Sequence, residues 1–363
     1  MNQLNETYIP NYVLLAESGE LAQRVAALDA MLASCDICPL DCHVNRIEGE
    51  IARCYSKYLP IVSSYCPHFG EEPALTGTNG VGNIFFGNCN LRCSYCQNFQ
   101  ISQRWKEEIK NEVSFERLAD IMLELQDERG CHAIGLVSPT HFVPQIIRSL
   151  EIAARRGLRL PVIYNTNCYD SLDVLRLLDG VIDIYLPDFK YSDDETGLAY
   201  SKVEGYFTHA SAALKEMHRQ TGDALLYGAD DLVKRGLIIR HLILPNDVAG
   251  TEKTLAFIAS ELSSRVTLSI MSQYYPTNQI DESHAEKSEN IMLLNRHIRA
   301  SEYDRALRLL EKYGFENGWA QEFEAEQYYR PDFADRAEPF RDRKDFTVGT
   351  SEEVAAVESI TAE

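Results

Sequence analysis

The sequence predicts an α/β fold, a partial barrel of six βα units preceded by a helical, cysteine-rich extension. Two observations carry the barrel. From about residue 81 onward, short apolar runs alternate with amphipathic helical patterns, and such alternation builds a parallel sheet through right-handed crossovers. Most of the apolar runs end in polar residues, as expected where the carboxyl ends of parallel strands line an open face. A third observation defines the extension: seven of the ten cysteines fall into two clusters, and both lie in the first third of the chain.

With 363 residues and 45% hydrophobic content, the chain can bury a large core. The expected division is an extension over 1–80, a barrel over 81–320 and an acidic, flexible tail over 321–363. A net charge of -20 argues against a nucleic-acid partner, whose phosphates call for a basic patch. The first residues lack a basic stretch followed by an apolar one, and no segment has the apolar length of a membrane span. A cytoplasmic protein without a membrane partner is expected. In that setting ten cysteines point to metal ligation rather than to disulfides.

Leu21, Val25, Leu28 and Leu32 form one stripe at helical spacing, so the chain opens with a helix reaching about Ala33. Cys35, Cys38, Cys42 and Cys54 follow and supply four thiolates. That number closes a zinc site or holds an iron-sulfur cluster, with His43 or Cys66 as alternative ligands. A closed site suits a structural or electron-transfer role. The Pro- and Gly-rich stretch from Tyr65 to Gly77 reads as a surface loop, with Glu71 and Glu72 as a solvated pair.

The first barrel strand is read at Gly82–Gly87, and Cys89, Cys93 and Cys96 sit directly after it at C-x3-C-x2-C spacing. Three thiolates fill three corners of a four-iron cubane and leave one iron open to a ligand. A zinc site completed by Cys66 or His68 is the other reading. Ser114 caps a helix carrying Phe115, Leu118, Met122 and Leu125. Further strands are expected at 133–138, 161–167, 181–190, 237–244 and 266–271, with helices between them and a last helix at about 299–313. Their polar ends include Ser138, Thr140, Asn165, Thr166, Asn167, Asp188, Lys190, Asn246, Asp247, Gln273 and Tyr274. Lys190 and Arg240 are the cationic candidates for a ligand carboxylate, Arg240 having an ion pair with Asp188 or Asp183 as its alternative.

The triad, with Tyr95 just before its last cysteine, resembles the radical S-adenosylmethionine enzymes. The Cys35-x2-Cys38-Pro-x2-Cys42 run, Pro67-His-Phe-Gly-Glu-Glu-Pro and Ile84-Phe-Phe-x2-Cys89 together look most like relatives of pyruvate formate-lyase activating enzyme, in an uncharacterised branch. The resemblance implies a 4Fe-4S cluster on Cys89, Cys93 and Cys96. S-adenosyl-L-methionine would chelate the open iron and be cleaved reductively to a 5'-deoxyadenosyl radical that abstracts hydrogen. It further implies Tyr95 near the adenine, Lys190 on the methionyl carboxylate, Thr140 and Asp188 beside the cofactor, and a low-potential donor such as flavodoxin or ferredoxin; Arg240, the second cationic candidate, is a further expected cofactor contact. In the activating enzymes, residues matching Asp188 and Thr166 help hold a monovalent cation. Asn165 stands here where they carry a further aspartate, and Ser138-Pro-Thr-His-Phe stands where Gly-Gly-Glu is usual. Activation of a glycyl radical enzyme is one expectation, and a peptide or small-molecule substrate is another. From a different class stands a non-catalytic, zinc-binding interaction protein.

Overall fold

The computed structural model describes residues 2–3, 8–280, 289–323, 325 and 329–340. The opening helical pattern forms two helices, α1 (Asn11–Ser18) and α2 (Glu20–Ala30), because Gly19 turns left-handed at φ 80° between them. Leu21, Val25, Leu28 and Leu32 are all buried. Both helices pack on the outer helix α4 (Val143–Arg155) of the barrel, and the Tyr12 hydroxyl donates to Leu160 O at 2.9 Å.

Eight strands make the barrel wall: β1 (Val62–His68), β2 (Val81–Phe86), β3 (Ile134–Val137), β4 (Val162–Thr166), β5 (Ile184–Pro187), β6 (Val233–Leu242), β7 (Thr267–Met271) and β8 (Gly318–Ala320). They pair in chain order. β2 through β8 run parallel, and only β1 is antiparallel to its neighbour. Two short strands, Leu226–Tyr227 and Asn2–Gln3, branch from β6. The six expected strands are thus present. Tyr65–His68, the start of the expected loop, is instead the second half of β1; it carries Pro67, which an edge strand tolerates because one side of it has no ladder to donate to.

The remaining named helices are α3 (Phe115–Asp127), α5 (Leu172–Leu177), α6 (Asp194–Ser201), α7 (Tyr206–Thr221), α8 (Thr251–Glu261) and α9 (Ala300–Tyr313). Ser114 caps α3 as expected, its side chain accepting from Arg117 N at 3.1 Å. Alternation along the strands sorts side chains into two cores. Ile84, Leu136, Tyr164, Tyr185 and Leu237 face the helices, whereas Val81, Ala133, Ile163, Ile184 and Ile238 pack together in the lumen. A higher group of Cys66, Phe85, Ile101 and Val137 is joined by Phe333.

Of the stretch expected to be a polar tail, residues 329–340 lie against the barrel. Arg336 pairs with the buried Glu108 at 2.6 Å, and the Ser64 hydroxyl donates to Arg336 O at 2.5 Å. Residues 341–363 lie outside the described residues. Among the described residues, no helix is long and apolar enough to cross a membrane.

Candidate metal and cofactor site

The triad loop begins at Asn88, whose φ of 66° turns the chain off the end of β2. Ser138, Cys168, Asn246 and Asp247 are likewise non-glycine residues at positive φ just beyond β3, β4 and β6. Conformations that cost about 1 kcal/mol or more each therefore gather on the rim formed by the strand ends.

The loop is held from several sides. Asn88 N donates to Ile101 O at 2.8 Å, and Arg92 N and Ser94 N donate to Ser201 O and Tyr200 O at 2.9 and 2.8 Å. Asn278 Nδ2 and Gln279 N bind the Cys93 and Ser94 carbonyls at 3.1 and 2.9 Å. Asn167 Nδ2 reaches Asn90 Oδ1 at 2.7 Å and Cys89 Sγ at 3.5 Å. Ser201 Oγ lies 3.0 Å from Cys93 Sγ, and Ser102 Oγ lies 3.2 Å from Cys96 Sγ.

Burial, then the nearby Cys93 thiol, pushes the Cys89 thiol up to about 11 and that of Cys96 to about 12. Cys93 is also raised, by burial first, with Lys190 opposing. Left to the protein alone, all three would stay protonated at neutral pH. Positive charge brought by a metal centre is what would convert them to thiolates. Among the described residues no three His, Cys, Asp or Glu side chains converge as one ion requires, whereas a cubane spreads its thiolates over separate irons. The donor set fits a multi-iron cluster.

Lys190 faces this loop. Burial works against its ammonium, but Asp188, and Cys93 and Cys96 in their thiolate form, outweigh that and raise its pKa. Its Nζ donates to Asp188 Oδ2 at 2.8 Å. Tyr95 is buried with its ring edge-on to Tyr191 and Tyr274, at centroid distances of 6.4 and 5.9 Å. The Thr140 hydroxyl donates to Asp170 Oδ1 at 2.8 Å. Thr166, expected beside a cation with Asp188, donates to Asp170 as well, at 2.6 Å. Asp170, which sequence reasoning passed over, accepts from three hydroxyls, the third being Tyr164 at 2.8 Å.

Arg240 points into the lumen below the rim, and its partners are neither Asp188 nor Asp183. Its Nε donates to Glu72 Oε1 at 2.8 Å and its Nη2 to Glu72 Oε2 at 2.7 Å, with Glu71 Oε2 as a third acceptor. The expectation of a solvated Glu71–Glu72 pair fails, because both side chains are buried against this guanidinium. Asn83 Nδ2 adds a 2.7 Å bond to Glu71. Gly135 makes room for it, since a Cβ there would stand 1.9 Å from Asn83 Oδ1.

The other four thiols also gather. The 35–54 loop doubles back so that Cys35 N donates to Val44 O at 2.9 Å and His43 N to Cys35 O at 3.0 Å. Burial raises Cys35, Cys38 and Cys42, and Cys54 adds to each shift. His43 sits outside the group on Ser34 and Asp41, and Cys66 lies in the upper lumen beside Phe85. The 35–54 loop abuts the triad loop: Asn88 Nδ2 donates to Tyr55 O at 3.0 Å, and the Arg92 guanidinium lies 4.4 Å above the Tyr55 ring.

Residues 83–258 match the family described as the Radical SAM superfamily. An uncharacterized protein of Methanocaldococcus jannaschii is 32% identical over 299 residues, covering 81% of this chain and 79% of the relative. Among solved structures, SuiB of Streptococcus suis bound to its precursor peptide SuiA is similar at 10% identity and a TM-score of 0.43, over 64% of this chain and 46% of that one. The family match spans the triad and the strands around it, the relative extends the likeness over most of the chain, and the chain therefore belongs to the radical SAM superfamily, whose members hold a 4Fe-4S cluster and S-adenosylmethionine.

Proposed function

We propose that Cys89, Cys93 and Cys96 hold the 4Fe-4S cluster and that the chain abstracts hydrogen from its substrate. When bound and reduced, the cluster supplies the electron that cleaves S-adenosylmethionine to a 5'-deoxyadenosyl radical. The observation that carries this reading is the meeting of three thiols, that of Cys93 buried and those of Cys89 and Cys96 half-buried, with one ammonium, Lys190, on the rim formed by the strand ends.

Each nearby side chain has a role that follows from its own chemistry. Lys190 receives the methionyl carboxylate, a charge-assisted bond strengthened by low local dielectric. Asp188 holds that ammonium in place. Tyr95 closes the rim with apolar ring surface and excludes water from the adenine side. Thr140 and Arg240, whose polar groups already have acceptors, support the cofactor site from below rather than by direct contact. Cys35, Cys38, Cys42 and Cys54 form a second centre, zinc or iron-sulfur; their mutual proximity supports it, and since no three of them converge as a single ion requires, iron-sulfur is the better fit. A cytoplasmic enzyme drawing electrons from flavodoxin or ferredoxin accords with this reading. The substrate stays open between the protein glycine of a glycyl radical enzyme, as in the activating enzymes the motifs resemble, and a peptide or small molecule.

The test is anaerobic reconstitution, reduction with dithionite in the presence of S-adenosylmethionine, and chromatographic measurement of 5'-deoxyadenosine. Brown protein that forms it, against a Cys93→Ala control that does not, is the expected result. Colourless, zinc-loaded protein with no product above that control would end the catalytic reading.

A further inference from the structure

We propose that Ser201, Tyr191 and Tyr95 form an oriented hydrogen-bond chain ending on Cys93, and that this chain sets the reduction potential of the triad's cluster. The proposal rests on the reading of Cys93 as a cluster ligand. Ser201 is the last residue of α6 and is fully buried. The end of α6 is fixed by the triad loop itself: Arg92 N and Ser94 N satisfy the Ser201 and Tyr200 carbonyls, which the helix leaves without partners. The Ser201 hydroxyl is thereby held 3.0 Å from Cys93 Sγ.

Behind it the contacts continue. Tyr191 OH is 2.7 Å from Ser201 Oγ, and Tyr95 OH donates to Tyr191 OH at 2.8 Å. An iron-bound thiolate has no proton to give, so Ser201 must donate to it. Ser201 then accepts from Tyr191, and Tyr191 accepts from Tyr95. Every proton in the chain points toward Cys93. Such chains polarise one another, by roughly 10–30% per bond, so the last bond is stronger than an isolated hydroxyl would give. Tyr95 thus acts through its hydroxyl as well as its ring, which phenylalanine at that place could not do.

Ser102 Oγ stands in a similar place beside Cys96, 3.2 Å from its sulfur. Hydrogen bonds to cluster sulfurs favour the reduced, more negative state and raise its potential. These residues are positioning groups; one electron enters the cluster and no bond in the chain is made or broken.

The experiment is a redox titration of the full chain, reconstituted anaerobically and followed by electron paramagnetic resonance on the signal that Cys93→Ala abolishes. Iron and sulfide are counted for every variant. Ser201→Ala should lower the reduced fraction at fixed poise on the order of tenfold, the loss of one charge-assisted bond, which is about 59 mV more negative for one electron. Tyr191→Phe and Tyr95→Phe should shift it the same way in diminishing steps, while Ser201→Thr, which keeps the hydroxyl, should restore the wild-type midpoint. A wild-type midpoint in Ser201→Ala at full iron content overturns the proposal. Should Ser201→Ala fail to hold iron, Tyr191→Phe decides, since it leaves Ser201 in place, and an unshifted midpoint there overturns it equally. Wild-type protein with no signal that depends on Cys93 would instead sink the parent reading.

Discussion

The barrel holds two buried ionisable groups of opposite design, one above the other. In the lumen, Glu71 and Glu72 share the Arg240 guanidinium, and Asn83 and His68 add to the support of Glu71, so the compensation comes from the chain itself. At the rim, three thiols crowd together, burial and mutual proximity favour their protons, and Lys190 is a single ammonium among them. In a low-dielectric interior a group either finds its compensation in the fold or receives it from a ligand. The lumen layer is of the first kind and builds the barrel. On the proposed reading the rim is of the second kind, its compensation supplied by the cluster and cofactor it would hold.

The largest expected effect tests the self-contained layer. Arg240→Met leaves two adjacent buried carboxylates with only His68, 3.9 Å from Glu71, beside them and should cost about 3–5 kcal/mol in chemical denaturation, with iron per folded molecule unchanged. Arg240 first, then His68, overcome burial and hold Glu71 down to about 2, below its ordinary 4.5. The contribution of Glu71 is therefore complete above 4.5 and is lost as pH falls toward about 2, a slope that the variant should lack. If Arg240→Met instead weakened S-adenosylmethionine binding with stability intact, Arg240 would belong to the rim and the contrast would fail.

The same contrast marks what was legible in the sequence. Strand runs such as Ile134–Val137 were readable because a doubly buried parallel strand is a near-continuous apolar run. The triad was readable because its ligands are close in sequence. Arg240 and Glu71 were misread because they lie 169 positions apart, and only closure of the barrel makes them neighbours. β1 was missed because its lumen face carries Ser64, Cys66 and His68, which give no apolar alternation. Ser201 went unnoticed because α6 has no clear apolar stripe and contains Gly197, whose missing Cβ lets Tyr206 pack 2.3 Å from where it would stand.

A carboxylate at the foot of β5 lies between the two designs. Asp183 accepts from Tyr8 OH at 2.5 Å and from Val162 N at 2.8 Å, and among the described residues no cation forms an ion pair with it, Arg235 acting only from a distance. Burial, only partly offset by these bonds, pushes it up from 3.8 to about 7. An acid raised in the folded state binds its proton more tightly there than in the unfolded chain. Stability should thus fall as pH rises from 3.8 to about 7, by a few kcal/mol at most, and stay low above that. Asp183→Asn should flatten this slope in denaturation curves recorded between pH 5 and 8, on the order of the window the shift defines. An unchanged slope would mean that hydrogen bonds alone compensate this carboxylate as fully as Arg240 compensates Glu71.

The smallest expected effect on stability comes from the rim, where the contrast is sharpest. Lys190 and Asp188 form a 2.8 Å pair, but their side chains keep 18% and 26% exposure, so either can be solvated when the other is removed. Lys190→Met also relieves the burial of an ammonium. Its net cost should stay below about 1 kcal/mol, as for a partly exposed pair. Binding should respond differently, because the methionyl carboxylate loses its charged donor: affinity of the reconstituted protein for S-adenosylmethionine, measured by titration calorimetry, should fall about tenfold or more. A variant that lost several kcal/mol of stability and kept its affinity would make Lys190 a structural cation like Arg240. The rim would then be compensated from within the fold, and the electrostatic argument for a ligand there would rest on the thiols alone.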